Sequence, residues 1–269
     1  MSPRVIVLTL LLAAVSYAAR QPGEPFHQGI NFFSKQQDIQ LGQEESQEVR
    51  KKFPVYRDAW VQQYVRGVGQ RLAATGPARE SGFPFTFTVL DNKQVNAFAL
   101  PGGPMYILTG LLQTVDNEAQ LAAVMAHEMS HVILRHGTHE ASKAKMVELP
   151  AILASEALGN RSLLTRLTAM GANSFILKFS RDSESDADAL GAHLMAEAGY
   201  DPIEMSRFFG KLQAAGGQGN SRLAQFLSDH PNPGNRERLI AEEAQTIPRR
   251  QYGFETGGFV RMKTDVGRR

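Results

Sequence analysis

The chain has 269 residues, of which 42% are hydrophobic, enough for one large domain with a substantial core. Its 29 lysines and arginines nearly balance its 27 aspartates and glutamates, and the basic residues are scattered, which argues against a nucleic-acid partner. The absence of cysteine excludes disulfides and a lipid anchor on cysteine.

The first 18 residues are predicted to be a cleaved secretory signal peptide. Arg4 precedes an apolar run that is shorter than the roughly 20 residues needed to span a bilayer. Small residues follow at Ser16 and Ala18, as at a cleavage site. The alternative, a membrane anchor, is disfavoured by the short apolar run. We therefore expect export to the periplasm or cell envelope and a soluble mature chain that begins at Ala19.

Residues 19–269 are predicted to form a single domain of the α+β class. An irregular lead-in at 19–36 is followed by helical segments at about 37–52 and 57–74. Period-two alternation in FPFTFTVLDNKQVNAFALPGGPMYIL then predicts a small sheet of about three strands. The remaining signals are helical up to a tail at 250–269. The expected fold is mostly helical, with one small sheet beside the helix described next.

An H-E-x-x-H motif in the apolar run VMAHEMSHVILRHG predicts a metal site. His127 and His131 are one helical turn apart, so both can bind one tetrahedral ion. Glu128 points about 100° away from His127, where it can take a proton from a water activated by the ion. The alternative is a buried helix whose histidines are satisfied by local hydrogen bonds. His136 would lie about 180° around a continuous helix from His127, so we expect it not to be a ligand but to lie at the helix end or to support a ligand.

A second helical stretch, SRDSESDADALGAHLMAEAG, offers the third ligand. The helix dipole alone favours carboxylates in a first turn, which is the simpler interpretation of its acidic start. Glu184 and Asp188, however, are four residues apart and share one face. One of these carboxylates can bind the ion while the other accepts the free N–H of a ligating histidine. His193 faces away from Glu184 and is predicted to be structural.

Several motifs, in this order along the chain, resemble the zinc metallopeptidase family that includes the CAAX prenyl proteases, HtpX and BepA. The matching stretches are NAFALPGGPMYILTGLL, NEAQLAAVMAHEMSHVILRH, SRDSESDAD and DHPNPGNRERL. The resemblance implies a compact gluzincin-type fold with one zinc ion per chain. The implied zinc ligands are His127, His131 and Glu184. Glu128 would be the catalytic base, and Asp188 would support a ligating histidine.

The stretch NAFALPGG is predicted to bind the substrate. Asn96, Ala97 and Phe98 are expected on an exposed edge strand, which an extended peptide can join through main-chain hydrogen bonds. Such binding leaves specificity broad because side chains contribute little. The alternative is a strand that is paired on both sides.

His230 is predicted to be a further catalytic residue. It lies in SDHPNPGNRER, where two prolines restrict the backbone and hold a side chain at small entropic cost. In the family that the chain resembles, a His-Pro at this place lies near the metal. His230 would then donate to the developing oxyanion, or occupy the fourth zinc position and keep the enzyme latent. The alternative is a helix-capping turn.

The function predicted from these features is a zinc-dependent endopeptidase of the cell envelope that cleaves misfolded or unassembled proteins. One alternative is a chaperone-like protein with a purely structural zinc, which has no use for the carboxylate of Glu128. The other is a membrane-associated processing protease. In such a protease, the amphipathic segment 143–179 would contact the membrane surface instead of forming core helices or a lid over the cleft.

Overall fold

The computed structural model of the protein describes residues 20–26, 29–157, 179–216, 226, 228–230, 235–248, 250–253 and 257–268. Within residues 147–157 it describes the helical backbone but not the side chains. The predicted signal peptide and most of the segment 143–179 lie outside the described residues. No helix in the described part of the chain is both long and apolar enough to cross a membrane.

The described elements confirm the prediction of a mostly helical α+β fold with one small sheet. In chain order they are α1 (Lys35–Lys52), α2 (Ala59–Ala73), α3 (Gly76–Ser81), β1 (Thr86–Leu90), β2 (Ala97–Ala99), β3 (Pro104–Leu108), α4 (Thr109–Thr114), α5 (Glu118–Ile133), α6 (His136–Ala157), α7 (Arg181–Glu197), α8 (Ile203–Gly216), α9 (Arg236–Thr246) and α10 (Phe259–Gly267). Helix α1 begins two residues before the predicted segment because Ser34 and Gln37 form a capping box.

The three strands form one sheet in the order β1–β3–β2. Strand β1 pairs in parallel with β3, whereas β2 and β3 are antiparallel and are joined by a tight turn. The turn contains Gly102 and Gly103, whose φ angles of 76° and 120° are ones that other residues rarely adopt. Strand β2 pairs with β3 on one side, and no other strand of the described chain pairs with it. It is therefore an edge strand.

Helices α5 and α7 are the central packed pair of the fold. Nearly every residue of α5 is buried, and its many alanines allow a close approach by its neighbours. Gly191 of α7 allows a close approach: a Cβ there would lie 3.2 Å from the backbone nitrogen of His127. The two helices are therefore in close contact at the first histidine of the H-E-x-x-H motif.

The start of α5 is fixed by a buried carboxylate. Asn117 caps the helix by accepting a hydrogen bond from its third residue. Glu118 is fully buried and accepts hydrogen bonds from the Tyr64 hydroxyl at 2.6 Å and from Arg71 Nη2 at 2.8 Å. The Tyr200 hydroxyl donates to it at 2.8 Å. Because a buried carboxylate is costly unless it is paired, this set of contacts locks α5 to α2 and to the end of α7.

Helix α1 packs on the β2–β3 turn at Gly42, and this contact leads to the first prediction. A Cβ at Gly42 would lie 1.9 Å from the carbonyl oxygen of Pro101. We expect Gly42→Ala to lower the free energy of unfolding by about 1–3 kcal/mol, because the backbone must shift to accept the methyl group. The control is Gly67→Ala in α2, where a Cβ would meet no atom within 4 Å. Alanine is the better helix former there, so thermal melting should show no loss. Equal melting temperatures for Gly42→Ala and the wild type would contradict the tight contact.

Candidate metal centre and active site

The predicted metal ligands come together in one buried cluster. His127, His131, Glu184 and His230 each offer a ligand atom, and these four atoms all lie within 4.8 Å of one another. The two Nε2 atoms of His127 and His131 are 3.1 Å apart. Carboxylate oxygens of Glu184 lie 3.4 Å from the first and 3.5 Å from the second. Nδ1 of His230 lies 3.2 Å from His127 Nε2 and 3.1 Å from Glu184 Oε1.

The chemistry and spacing of these donors fit a zinc ion. Zinc bonds of 2.0–2.2 Å to nitrogen and oxygen place tetrahedral donors about 3.3–3.6 Å from one another. The distances between donors that have just been given fall close to that range. Hydrogen bonds among the described residues do not satisfy the cluster, because Glu184 Oε2 is buried with no hydrogen-bond partner. A cation at the centre would complete it.

The protonation of the cluster also favours a cation. Burial disfavours the charged form of His127, but the nearby carboxylates of Asp188 and Glu184 outweigh burial and raise its pKa to about 9. Burial lowers the pKa of His131 to about 3. Burial also opposes ionisation of Glu184, yet His230 and His127 hold the pKa of its carboxyl well below its usual range. The ionised carboxylate of Glu184, buried among imidazoles, is a charge that a bound cation would balance.

Glu128 lies beside the cluster but outside the set of donors. Its Oε1 is 3.2 Å from Nε2 of His230, without the alignment of a hydrogen bond, and is otherwise unpartnered. The backbone N–H of Ala99 donates to its carboxylate. Burial raises the pKa of Glu128, which makes its carboxylate a stronger base than an exposed one.

Asp188 contacts the nitrogen of His127 that lies away from the cluster. Its Oδ1 lies 2.9 Å from Nδ1 of His127, which leaves Nε2 to face the cluster. Spacing alone allowed either carboxylate of α7 to bind the ion. The packing of α7 against α5 directs Glu184 to the cluster and Asp188 to the far nitrogen of the histidine.

His136 contacts His131, although it is not in the donor set. The helical-wheel prediction assumed that the helix continues beyond α5. Instead the chain turns at Arg135, whose φ of 58° is unusual for a residue with a side chain. His136 therefore begins α6, and its Nδ1 lies 2.8 Å from Nδ1 of His131. His193, as predicted, is remote from the cluster, with its ring nitrogen 2.8 Å from Glu243.

Arg236 is a buried site residue that the sequence analysis missed. Its Nη2 lies 2.6 Å from Oδ1 of Asp188 and 3.2 Å from Nδ1 of His127. Its guanidinium carbon is 3.5 Å from the ring centroid of Phe209. One signal could have identified it: Arg236 is the first residue of α9, where the helix dipole disfavours a cation unless a specific anion is present.

The candidate substrate strand lies next to Glu128. Ala97 and Phe98 are on the edge strand β2, and Asn96 precedes it. Asn96 and Ala97 are buried, whereas Phe98 is half-buried and stacks on Tyr106 with ring centroids 5.2 Å apart. The backbone hydrogen bond from Ala99 to Glu128 of α5 places strand β2 beside the cluster. Recognition along β2 would therefore rely on the main chain.

We expect Asp188→Asn to weaken zinc binding by about 10–100-fold, because the amide cannot supply the negative charge that supports His127. Competition with a chromophoric chelator measures this change. The matched control on the same helix is His193→Ala, whose side chain contacts Glu243 and not the cluster. Unchanged zinc affinity in Asp188→Asn would show that the carboxylate does not support the ligand.

A helix with an H-E-x-x-H motif and a glutamate donor from another helix is the arrangement of zinc metallopeptidases. The chain belongs to Peptidase family M48, whose sequence profile matches residues 58–244. It is 30% identical over 208 residues to the beta-barrel assembly-enhancing protease of Escherichia coli (strain K12), covering 74% of this chain and 42% of that protein. It is 34% identical over 194 residues to the mitochondrial metalloendopeptidase OMA1 of Schizosaccharomyces pombe, covering 72% and 55%. With the OMA1 of Arabidopsis thaliana it shares 31% identity over 212 residues, covering 77% and 42%.

Membership of this family confirms the resemblance inferred from the motifs. It also confirms zinc as the expected metal, because peptidases of this family use zinc and the buried donor cluster fits it. The chain spans about half the length of the relatives that it matches.

Proposed function

We propose that the protein is a zinc-dependent endopeptidase that cleaves misfolded or unassembled proteins of the cell envelope. The observation that carries this proposal is the buried carboxylate of Glu128, with a raised pKa, directly beside a cluster of metal donors. A purely structural zinc site needs no base there, which argues against the chaperone-like alternative. The test is zinc content together with casein hydrolysis by the wild-type protein. One bound zinc without any hydrolysis would favour the alternative.

Each residue of the site is proposed to have a separate role in metal binding, proton transfer or orientation of a ligand. His127, His131 and Glu184 would hold zinc, which when bound lowers the pKa of water and polarises a peptide carbonyl. Glu128 takes the proton of the attacking water as the new C–O bond forms. It then gives this proton to the leaving amine nitrogen as the C–N bond breaks, so it ends each cycle unprotonated. Asp188 keeps the His127 ring fixed throughout.

The substrate is proposed to bind as an extra strand along β2. The main chain of this edge is next to Glu128 through the Ala99 N–H, so a paired peptide would have its backbone near the base. Because Ala97 is fully buried, a probe is better placed at Phe98. A photo-reactive phenylalanine analogue at position 98 should crosslink to bound casein peptides. A crosslinker at this position that never captures a peptide would contradict the binding mode.

His230 is proposed to occupy the fourth position of the cluster and to keep the enzyme latent. Its Nδ1 lies within the donor set and 3.1 Å from Glu184 Oε1, which supports this role over a capping turn. We expect His230→Ala to retain zinc and to raise casein turnover by about tenfold, if the closed state holds about 90% of the molecules. Lower turnover with unchanged zinc content would instead assign His230 to stabilisation of the oxyanion.

The envelope location is proposed from the predicted signal peptide and from the name of the Escherichia coli relative, a beta-barrel assembly-enhancing protease. N-terminal sequencing of the exported protein should find Ala19, and an intact Met1 would contradict cleavage. Flotation of the mature protein with liposomes separates this soluble form from the membrane-associated alternative.

A further inference from the structure

A buried side-chain pair joins the start of the substrate strand to the residue before His230. Nδ2 of Asn96 donates to Oδ2 of Asp229 at 3.1 Å. Asn96 is 4% exposed and Asp229 is 6% exposed, so water does not compete for this hydrogen bond. The two residues are 133 positions apart in the sequence, so the contact is made only by the fold.

The other contacts of His230 explain why this pair matters. The backbone N–H of His230 donates to the carbonyl of Phe226 at 2.9 Å, and the two rings lie 4.9 Å apart. Phe226 in turn is buried in the core and stacks on Phe209 of α8, with ring centroids 6.1 Å apart. The contacts of its ring with Glu184 and Glu128 act on the imidazole itself. The pair of Asn96 and Asp229 fixes the backbone of this segment to the sheet.

We propose that Asn96 and Asp229 are positioning residues, which hold the imidazole of His230 in the fourth position of the metal cluster. This inference deepens the proposed function and rests on it, because it needs zinc at the cluster and His230 as its fourth donor. Loss of this hydrogen bond removes the tie between Asn96 and the residue before His230. The segment would then shift relative to the start of β2, and the imidazole would move with it.

Exchanging the two side chains tests the pair. Asn96→Asp places two carboxylates in contact and breaks the bond. Asp229→Asn keeps an oxygen that can accept from Asn96, so it should behave like the wild type. In the double variant Asn96→Asp with Asp229→Asn, the amide and the carboxylate have changed places and the bond can form again. Asn92→Asp is the matched control: it adds the same charge in the same loop, where the Asn92 Oδ1 only accepts from the backbone of Gln94.

Two measurements on the metal-loaded protein, both without substrate, report the position of the imidazole. One is the rate of zinc transfer to a chromophoric chelator, and the other is the visible spectrum of the cobalt-substituted protein, which reports its ligand set. We expect Asn96→Asp to release zinc about tenfold faster, a change of about 1.4 kcal/mol in the barrier, and to give the cobalt spectrum of His230→Ala. The exchanged double variant should regain the wild-type rate and spectrum.

Wild-type release and spectrum in Asn96→Asp would overturn the inference, as would a double variant that stays like the single one. If Asn96→Asp does not fold, Asn96→Ala, which removes the donor without adding charge, takes its place, with the same expected change in rate and spectrum. The proposed function fails separately: a wild-type protein that binds no zinc, or that binds zinc without cleaving casein, contradicts it whatever the pair does.

Discussion

Replacing Glu128 with glutamine should leave one zinc ion bound and lower the rate of casein hydrolysis by about 100- to 10,000-fold, the usual contribution of a general base. Glutamine has the shape of glutamate, so the packing around the cluster is kept. Its amide cannot take the proton of the attacking water. Burial raises the pKa of Glu128, so the wild-type carboxylate holds that proton more readily than an exposed one until the amine leaves.

Metal analysis and hydrolysis assays on the same preparation separate the two effects. Asp182→Asn is a suitable control, because this exposed carboxylate of α7 lies outside the donor set and should leave both quantities unchanged. A Glu128→Gln protein that cleaves casein near the wild-type rate would mean that another group deprotonates the water. A loss of zinc in this variant would mean that Glu128 is itself a ligand.

The second large effect is expected from removal of a ligand. His127→Ala, His131→Ala and Glu184→Ala should each lose stoichiometric zinc, because a site with three protein ligands loses most of its affinity with any one of them. Zinc added at about 1,000 times its dissociation constant stabilises a native protein by about 4 kcal/mol. The rise in melting temperature on adding zinc should therefore be present in the wild type and absent in these variants.

Glu197→Ala serves as the control for the carboxylate substitution, because Glu197 is at the exposed end of the same helix. It accepts a hydrogen bond from the backbone of Gly76 and is not in the donor set. This variant should keep the full zinc-dependent rise in melting temperature. If the zinc-dependent rise in melting temperature persisted in His127→Ala, the H-E-x-x-H motif would not be part of the metal site.

The two histidine donors could be predicted from the sequence, because a single helix determines their relative positions. His127 and His131 are one turn apart on α5, so their shared face needed no tertiary information. The choice between Glu184 and Asp188 did need it, because both lie on one face of α7. Only the packing of α7 against α5 shows that Glu184 reaches the cluster and that Asp188 reaches Nδ1 of His127.

Other parts of the site depend on chain turns and on contacts distant in sequence. His136 is outside the donor set. Its contact with His131 depends on the turn at Arg135, where no glycine or proline marks the break. Arg236 was missed because nothing local brings α9 to Asp188. Asn96 was expected on the edge strand, but it is buried just before β2. Its hydrogen bond to Asp229 could not be anticipated from either segment.

The position of the donors on α5 and α7 has a consequence for stability as well as for catalysis. An ion bound by His131 and Glu184 closes a loop of about 50 residues, and a cross-link of that span restricts the unfolded chain by about 4 kcal/mol in the chain-entropy treatment. The chain has no cysteine with which to make such a link covalently. The zinc site would thus serve as a reversible cross-link, one that a chelator opens and a reductant does not.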